Sequence, residues 1–269
     1  LQADYSFNYT TRTRIDVQTP VEYSNRPGQI QLESASAGES LTQNEYKTRY
    51  QASNIYLTYN PDLGENHNLN VLVGYNVEDK RYQTLTVSQM DMITTSKPSF
   101  SLMQGVADAP SAGGWTWAYM GAFFRVNYGF KSKYLVEVSG RYDGSSKFPT
   151  YSRWGFFPSG SIGWRISEED FFASAKNVVN NLKVRASLGS LGNQNVDNYA
   201  YMRLVNLTKF KSFYFGDTTT SAPYSNLSAP NASDLTWETS YQYNFGVDLG
   251  MFEDRLSFTG EMYMRNTKG

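Results

Sequence analysis

Alternation with a period of two residues dominates the chain. From Ala118 every second residue is Ala118, Met120, Ala122, Phe124, Val126, Tyr128 and Phe130, while the interleaved set carries Arg125 and Asn127. The next stretch sets Tyr134, Val136, Val138, Gly140 and Tyr142 against Leu135, Glu137, Ser139, Arg141 and Asp143. The same period recurs over 69–78, 157–166, 182–191, 241–251 and 256–265. A period of two sends successive side chains to opposite faces of a strand. Each stretch has about the 9–11 residues that carry a tilted strand across a bilayer. Residues 3–17 and 45–60 bring the expected total to about nine strands.

Charge sharpens the pattern. The more apolar phase of these seven segments holds no charged residue, and the other phase holds eleven: Glu78, Arg125, Glu137, Arg141, Asp143, Arg165, Lys183, Arg185, Asp248, Glu261 and Arg265. The three segments with several charges would agree by chance about one time in sixteen. A soluble sandwich also alternates, so period alone leaves both readings open.

The connections separate them. Short links are expected at 61–67, 131–133, 167–181 and 251–254, and long ones at 19–44, 83–116, 143–154 and 192–236, so that short and long alternate strictly. Outer-membrane barrels sort their loops this way, with short periplasmic turns and long extracellular loops. Ser167-Glu168-Glu169-Asp170 reads as an N-cap opening a short helix within one short link. The fold class expected is therefore all-β, a transmembrane antiparallel β-barrel.

Composition fits. Mean hydropathy is −0.53, yet 21 Tyr, 16 Phe and 5 Trp are present, and the longest apolar run, Trp117–Phe124, is far below the ~20 residues of a membrane helix. The net charge of −1 (24 basic, 25 acidic residues) removes the electrostatic case for nucleic acid. With no cysteine and one histidine, His67, a thiol nucleophile is excluded and a His-based metal or catalytic site is confined to that one residue. No basic leader followed by an apolar core opens the chain at Leu1-Gln2-Ala3-Asp4.

The most distinctive stretch is Tyr134-Leu135 leading to Arg141-Tyr142-Asp143-Gly144-Ser145-Ser146-Lys147-Phe148, then Arg153-Trp154-Gly155-Phe156-Phe157-Pro158-Ser159 and Gly163-Trp164-Arg165-Ile166. Asp143-Gly144 is a turn signal, and Tyr142, Phe156 and Trp164 stand where interfacial aromatic girdles belong. The block resembles the SusC-like (SusC/RagA) family of TonB-linked outer-membrane nutrient transporters. Asn181–Ser187 with Gly189 and Gly192-Asn193, and Leu235-Thr236-Trp237-Glu238 through Phe245-Gly246-Val247-Asp248 to Phe252-Glu253-Asp254-Arg255-Leu256, agree in order and spacing; Asn68–Tyr75 is a weaker match.

That resemblance implies a 22-stranded barrel of the plugged-lumen class, of which residues 1–269 would be a central piece without signal peptide, plug or final strands. It also implies a cell outer membrane of a Gram-negative bacterium, crossed many times. Implied partners are a SusD-like surface lipoprotein, the TonB complex acting through an N-terminal part, an oligosaccharide or peptide substrate, and the lipid bilayer. No cofactor, metal or enzymatic reaction is implied.

Candidate chemistry is sparse. Glu137 and Asp143 share a strand face with Arg141 between them, which points to charge pairing across the lumen rather than acid–base work. His67 reads as a solvated turn residue, and Asp91, Asp108 and Asp217 lack the spacing of a calcium loop. Substrate contacts are expected on long loops. In Ser111-Ala112-Gly113-Gly114-Trp115-Thr116-Trp117, glycine gives mobility and the faces of Trp115 and Trp117 can stack on sugar rings, or both can belong to the aromatic girdle. Phe213, Tyr214 and Tyr224 are either loop-packing aromatics or a surface for the lid partner. Two rivals remain, a surface carbohydrate-binding β domain without transport and an outer-membrane barrel enzyme. The first would fold without detergent, and the second needs a nucleophile or acid–base set that the one histidine does not supply.

Overall fold

Period-two segments rich in Tyr, Phe, Val and Thr favour extended backbone, and here the strands run well past the expected length. The computed structural model describes residues 1–33, 39–208, 224–227 and 234–269. Its strands are β1 (Gln2–Gln18), β2 (Val21–Arg26), β3 (Gln29–Glu33), β4 (Ser40–Tyr59), β5 (His67–Met90), β6 (Ser111–Phe130), β7 (Tyr134–Ser145), β8 (Trp154–Arg165), β9 (Val179–Asn193), β10 (Val205–Thr208), β11 (Tyr224–Leu227), β12 (Glu238–Met251) and β13 (Leu256–Lys268). Nine of them form one sheet in the order β1-β4-β5-β6-β7-β8-β9-β12-β13, and β2-β3 and β10-β11 are separate hairpins within links. The sheet therefore has the nine expected strands, each paired with its sequence neighbour in the sheet.

By internal contacts the residues group into two units. One comprises 1–4, 53–78 and 118–269; the other comprises 5–52 and 79–117. In the first unit the registers decide the faces. Val126 pairs with Val138, Val138 with Gly160, Gly160 with Leu188, Leu188 with Tyr243, and Tyr243 with Met264. Paired residues share a face, so the apolar phases of six strands coincide on one side. The five pairings would align by chance roughly one time in thirty. Arg125, Glu137, Arg141, Asp143, Arg165, Lys183, Arg185, Asp248, Glu261 and Arg265 lie on the other. The charge-free band ends before Lys268 at the last position of β13. Phe124 (37% exposed), Val136 (41%) and Ile162 (62%) stand open, as residues meeting hydrocarbon would rather than residues inside a dry sandwich core.

The first unit's buried aromatic cluster is small and lies on the polar side. Phe148, Phe157 and Trp237 are its members, with Tyr119, Val196 and Leu235 packed against them. At the opposite end, the three-residue link 131–133 turns at Lys131 and Ser132, both at positive φ (50° and 55°), and is closed by Lys133 N–H on the Phe130 carbonyl at 2.9 Å. Such turns match the twist of a hairpin, and here they form without glycine.

The second unit has its own ladder. Asn44 donates to Asp16 at 3.4 Å and accepts from Thr86 at 2.7 Å, and Thr42 and Ser88 share a bond of 3.0 Å. Arg14 pairs with Asp16 at 2.8 Å, while residues of the other strand parity, Arg49 and Asp79, pair at 3.2 Å. Charge thus occupies both faces among the described residues of this unit.

Three expectations need correction. The links do not alternate strictly in length: 146–153 is shorter than 166–178. The expected bounds already put 143–154 below 167–181 in length; in addition Asp143-Gly144-Ser145 continues β7 instead of turning, and β5 and β6 extend to Met90 and back to Ser111, trimming their link to 91–110. The link after β8 contains two 3-10 turns, Ile166–Glu168 and Asp170–Ala175, with no capping bond from a Ser167 side chain.

Candidate functional site

The first unit's polar face is a tiled surface of ion pairs. Arg141 donates through Nε and Nη2 to both oxygens of Asp143 (3.1 and 3.0 Å), and through Nη2 to Asn76 (3.0 Å) and Tyr119 (2.8 Å). Its guanidinium lies 5.2 Å from the Phe123 ring centre. Gly121 lies opposite Asp143 in the register, and a Cβ there would displace the Asp143 carboxylate from its place beside Arg141. Arg185 bridges Asp248 (3.4 Å) and Glu261 (3.2 Å) and lies across Gly246, where a Cβ would meet it at 2.8 Å. Arg125 pairs with Glu137 at 3.7 Å. These pairs run laterally within one sheet, where the long arginine side chains reach over glycine. The product is a wall of six basic and four acidic residues that carries many donors and acceptors.

Near the short links this wall hollows into a basin of about 700 Å³, lined by Asn127, Glu137, Ser161, Lys183, Arg185 and Asn244 among others. Arg165 and Lys183 sit directly opposite each other across β8 and β9. His67, expected in a solvated turn, opens β5 instead; its Nδ1 is 2.8 Å from the Tyr128 hydroxyl and its ring packs 5.1 Å from Phe130. Turn composition hid this, because Tyr128 and Phe130 come from a strand far along the chain.

The opposite face carries two aromatic groups. Tyr142 stacks on Trp154 (5.1 Å, 10°) beside Phe156, and Tyr134 stands beside Trp164. At the second group Glu169 gathers three donors: Tyr134 Oη (2.6 Å) and Trp164 Nε1 (3.0 Å) on Oε1, and Lys133 Nζ (3.3 Å) on Oε2. These bonds, the one from Tyr134 foremost, hold the Glu169 carboxyl below its usual range. Beside the second group a mainly apolar groove runs along Val136, Ile162, Val184, Ala186 and Phe245.

Trp115 and Trp117 belong to strand β6, not to a mobile loop. The adjacent Gly114 permits close backbone approach, since a Cβ would collide with the Tyr82 carbonyl. Trp115 stacks on Tyr82 (5.4 Å, 26°), Tyr82 on Tyr46 (6.4 Å, 21°), and the Lys80 ammonium lies 5.7 Å from the Trp115 ring. Phe213, Tyr214 and Asp217 lie outside the described residues; Tyr224 opens β11, its side chain likewise outside them. Asp91 and Asp108 anchor the 91–110 link through backbone bonds to Glu39 and Ser88. Sequence reasoning missed the Arg141–Asp143–Asn76–Tyr119 node and the Glu169 clasp, and only the arginine–aspartate spacing of two hinted at the first.

A family model described as "TonB dependent receptor-like, beta-barrel" matches residues 1–269. TonB-dependent receptor P3 of Formosa agariphila is 32% identical over 88% of this chain and 23% of its own length. TonB-dependent receptor SusC of Bacteroides thetaiotaomicron is 30% identical over 99% of this chain and 26% of its own length. The chain thus spans about a quarter of the length of these relatives. A solved structure of the RagAB peptide transporter superposes with a TM-score of 0.81 at 23% identity, covering 98% of this chain and 28% of that one. At that identity the likeness speaks to the fold.

Proposed function

The chain belongs to the TonB-dependent receptor β-barrel family, in its SusC-like branch, and from that premise we propose that it forms part of the wall of an outer-membrane importer. In this reading the charge-free face meets lipid, the arginine-tiled face lines an aqueous conduit, and backbone groups pair between strands because hydrocarbon cannot satisfy them. The complete protein works with a SusD-like surface lipoprotein and the TonB complex to take up oligosaccharides or peptides. It carries out energy-coupled passage and makes or breaks no bond in its cargo. One observation carries the reading: the registers of β6 to β9, β12 and β13 place the apolar phases of these six strands on one side and ten charged residues on the other.

The test is uptake by cells carrying the complete protein. Deleting its gene should abolish TonB-dependent import of either a mixed oligosaccharide pool or a mixed peptide pool, and the protein should co-purify with a surface lipoprotein. Unchanged import of both pools would sink the proposal.

A further inference from the structure

We infer that segments 146–153, 194–201 and 234–237 form a fixed shelf on the polar face and set the size of cargo that passes this stretch of wall. The inference rests on the importer reading and names a selectivity element within it.

Phe157 is the starting point. Its register partner is Arg141, so it projects from the polar face, where a bare aromatic ring would meet water. It is nonetheless only 7% exposed, because Phe148 (0%) and Trp237 (7%) fold onto it from two different links, with ring centres 5.0 Å (Phe148–Trp237) and 5.3 Å (Phe157–Trp237) apart. Covering such a ring is favourable in proportion to the apolar area removed from water, and that holds both links against the sheet. Gly155 leaves room for the contact: a Cβ there would lie 2.6 Å from Phe157 and 3.2 Å from Trp237.

Hydrogen bonds tie the same segments together across long stretches of sequence. Trp237 Nε1 donates to the Arg153 carbonyl (3.0 Å), Ser152 Oγ to the Leu235 carbonyl (2.7 Å), and Lys147 Nζ to the Val196 carbonyl (2.9 Å). Ser146 N–H reaches the Ala118 carbonyl at 2.9 Å, and Ala118 N–H returns to Ser146 Oγ at 2.8 Å. The three segments are thus crossed over one another and over β6 and β8, which is the construction of a rigid ledge and not of a swinging loop. Among the described residues, the buried side-chain atoms without a partner, Arg153 Nε, Gln194 Oε1 and Asn198 Oδ1, all fall in this shelf. A cover shaped for stability alone would satisfy them; polar imperfection of this sort concentrates where function constrains the structure.

The experiment uses the complete protein in its own outer membrane, with graded-length oligosaccharide and peptide pools offered and imported lengths read by mass spectrometry. The double variant Phe148→Ala/Trp237→Ala should raise the ratio of long to short oligomers imported, and Phe148→Leu/Trp237→Phe, which keeps the cover, should restore the wild-type ratio. Should the double variant fail to reach the membrane, Lys147→Met removes only the tether to Val196 and should shift the ratio the same way. An unchanged ratio in a variant present at wild-type level overturns the shelf. Failure of the wild type to import either pool instead overturns the importer reading.

Discussion

Phe124, Arg125 and Val126 are consecutive, yet their surroundings could hardly differ more. Phe124 and Val126 share the apolar face with Val138, while Arg125 stands on the polar face 3.7 Å from Glu137. An arginine introduced on the lipid side near the bilayer midplane is expected to cost about 2–4 kcal/mol. Phe124→Arg and Val126→Arg should therefore each lower the unfolding free energy of the complete protein in lipid vesicles by that amount. Arg125→Ala removes a pair whose side chains are 57% and 39% exposed, and such pairs contribute at most about 1 kcal/mol. If equilibrium unfolding ranks Arg125→Ala as the most damaging of the three, the facing assignment is wrong. Glycine follows the same logic at Gly121 and Gly246, which are bare so that arginine and carboxylate can lie flat beside them.

At the scale of elements, the faces of β6 to β9, β12 and β13 were readable from period and charge, because a one-residue slip would carry Arg141 or Arg185 into the apolar side. Strand ends were not readable. Asp143-Gly144 looks like a turn, yet the cross-strand bonds of β7 with β6 and β8 continue through it, and pairing overrides a local turn preference. Trp115 was misplaced for the same reason: Gly113-Gly114 suggests mobility, but Gly114 instead lets the chain approach the Tyr82 backbone. The Glu169 clasp was illegible because its donors come from the ends of β7 and β8 and the turn before β7. It makes a testable claim about the 166–178 link. Since the folded carboxyl titrates below its ordinary range, its contribution is complete above the unfolded value of about 4.3 and is lost as pH falls through the lower folded value. Amide-exchange protection of that link, corrected for intrinsic rates, should hold from about pH 7 to about pH 5 and drop below about pH 4. Glu169→Gln should lower protection at neutral pH and remove the acid step; a wild-type profile in that variant would show the clasp to be idle.

For the whole molecule, the decisive issue is which surfaces touch lipid, and the tryptophans report on it. Trp154 and Trp164 share the charge-free face with Val138 and Ile162 and are 44% and 40% exposed. Trp237 is 7% exposed beneath the shelf on the polar side. Tryptophan is favoured at both rims of a barrel's apolar band, and Trp154 and Trp164 stand at opposite ends of β8, as the two rims require. Single-tryptophan versions of the complete protein, retaining one of these three, should divide in vesicles of brominated lipid: Trp154 and Trp164 quenched, Trp237 spared. A domain that only binds carbohydrate at the surface would leave all three bright, and quenching of Trp237 alone would mean that the two faces are exchanged. The result also bears on selectivity, because a shelf can restrict cargo only if the side it covers is the wet one.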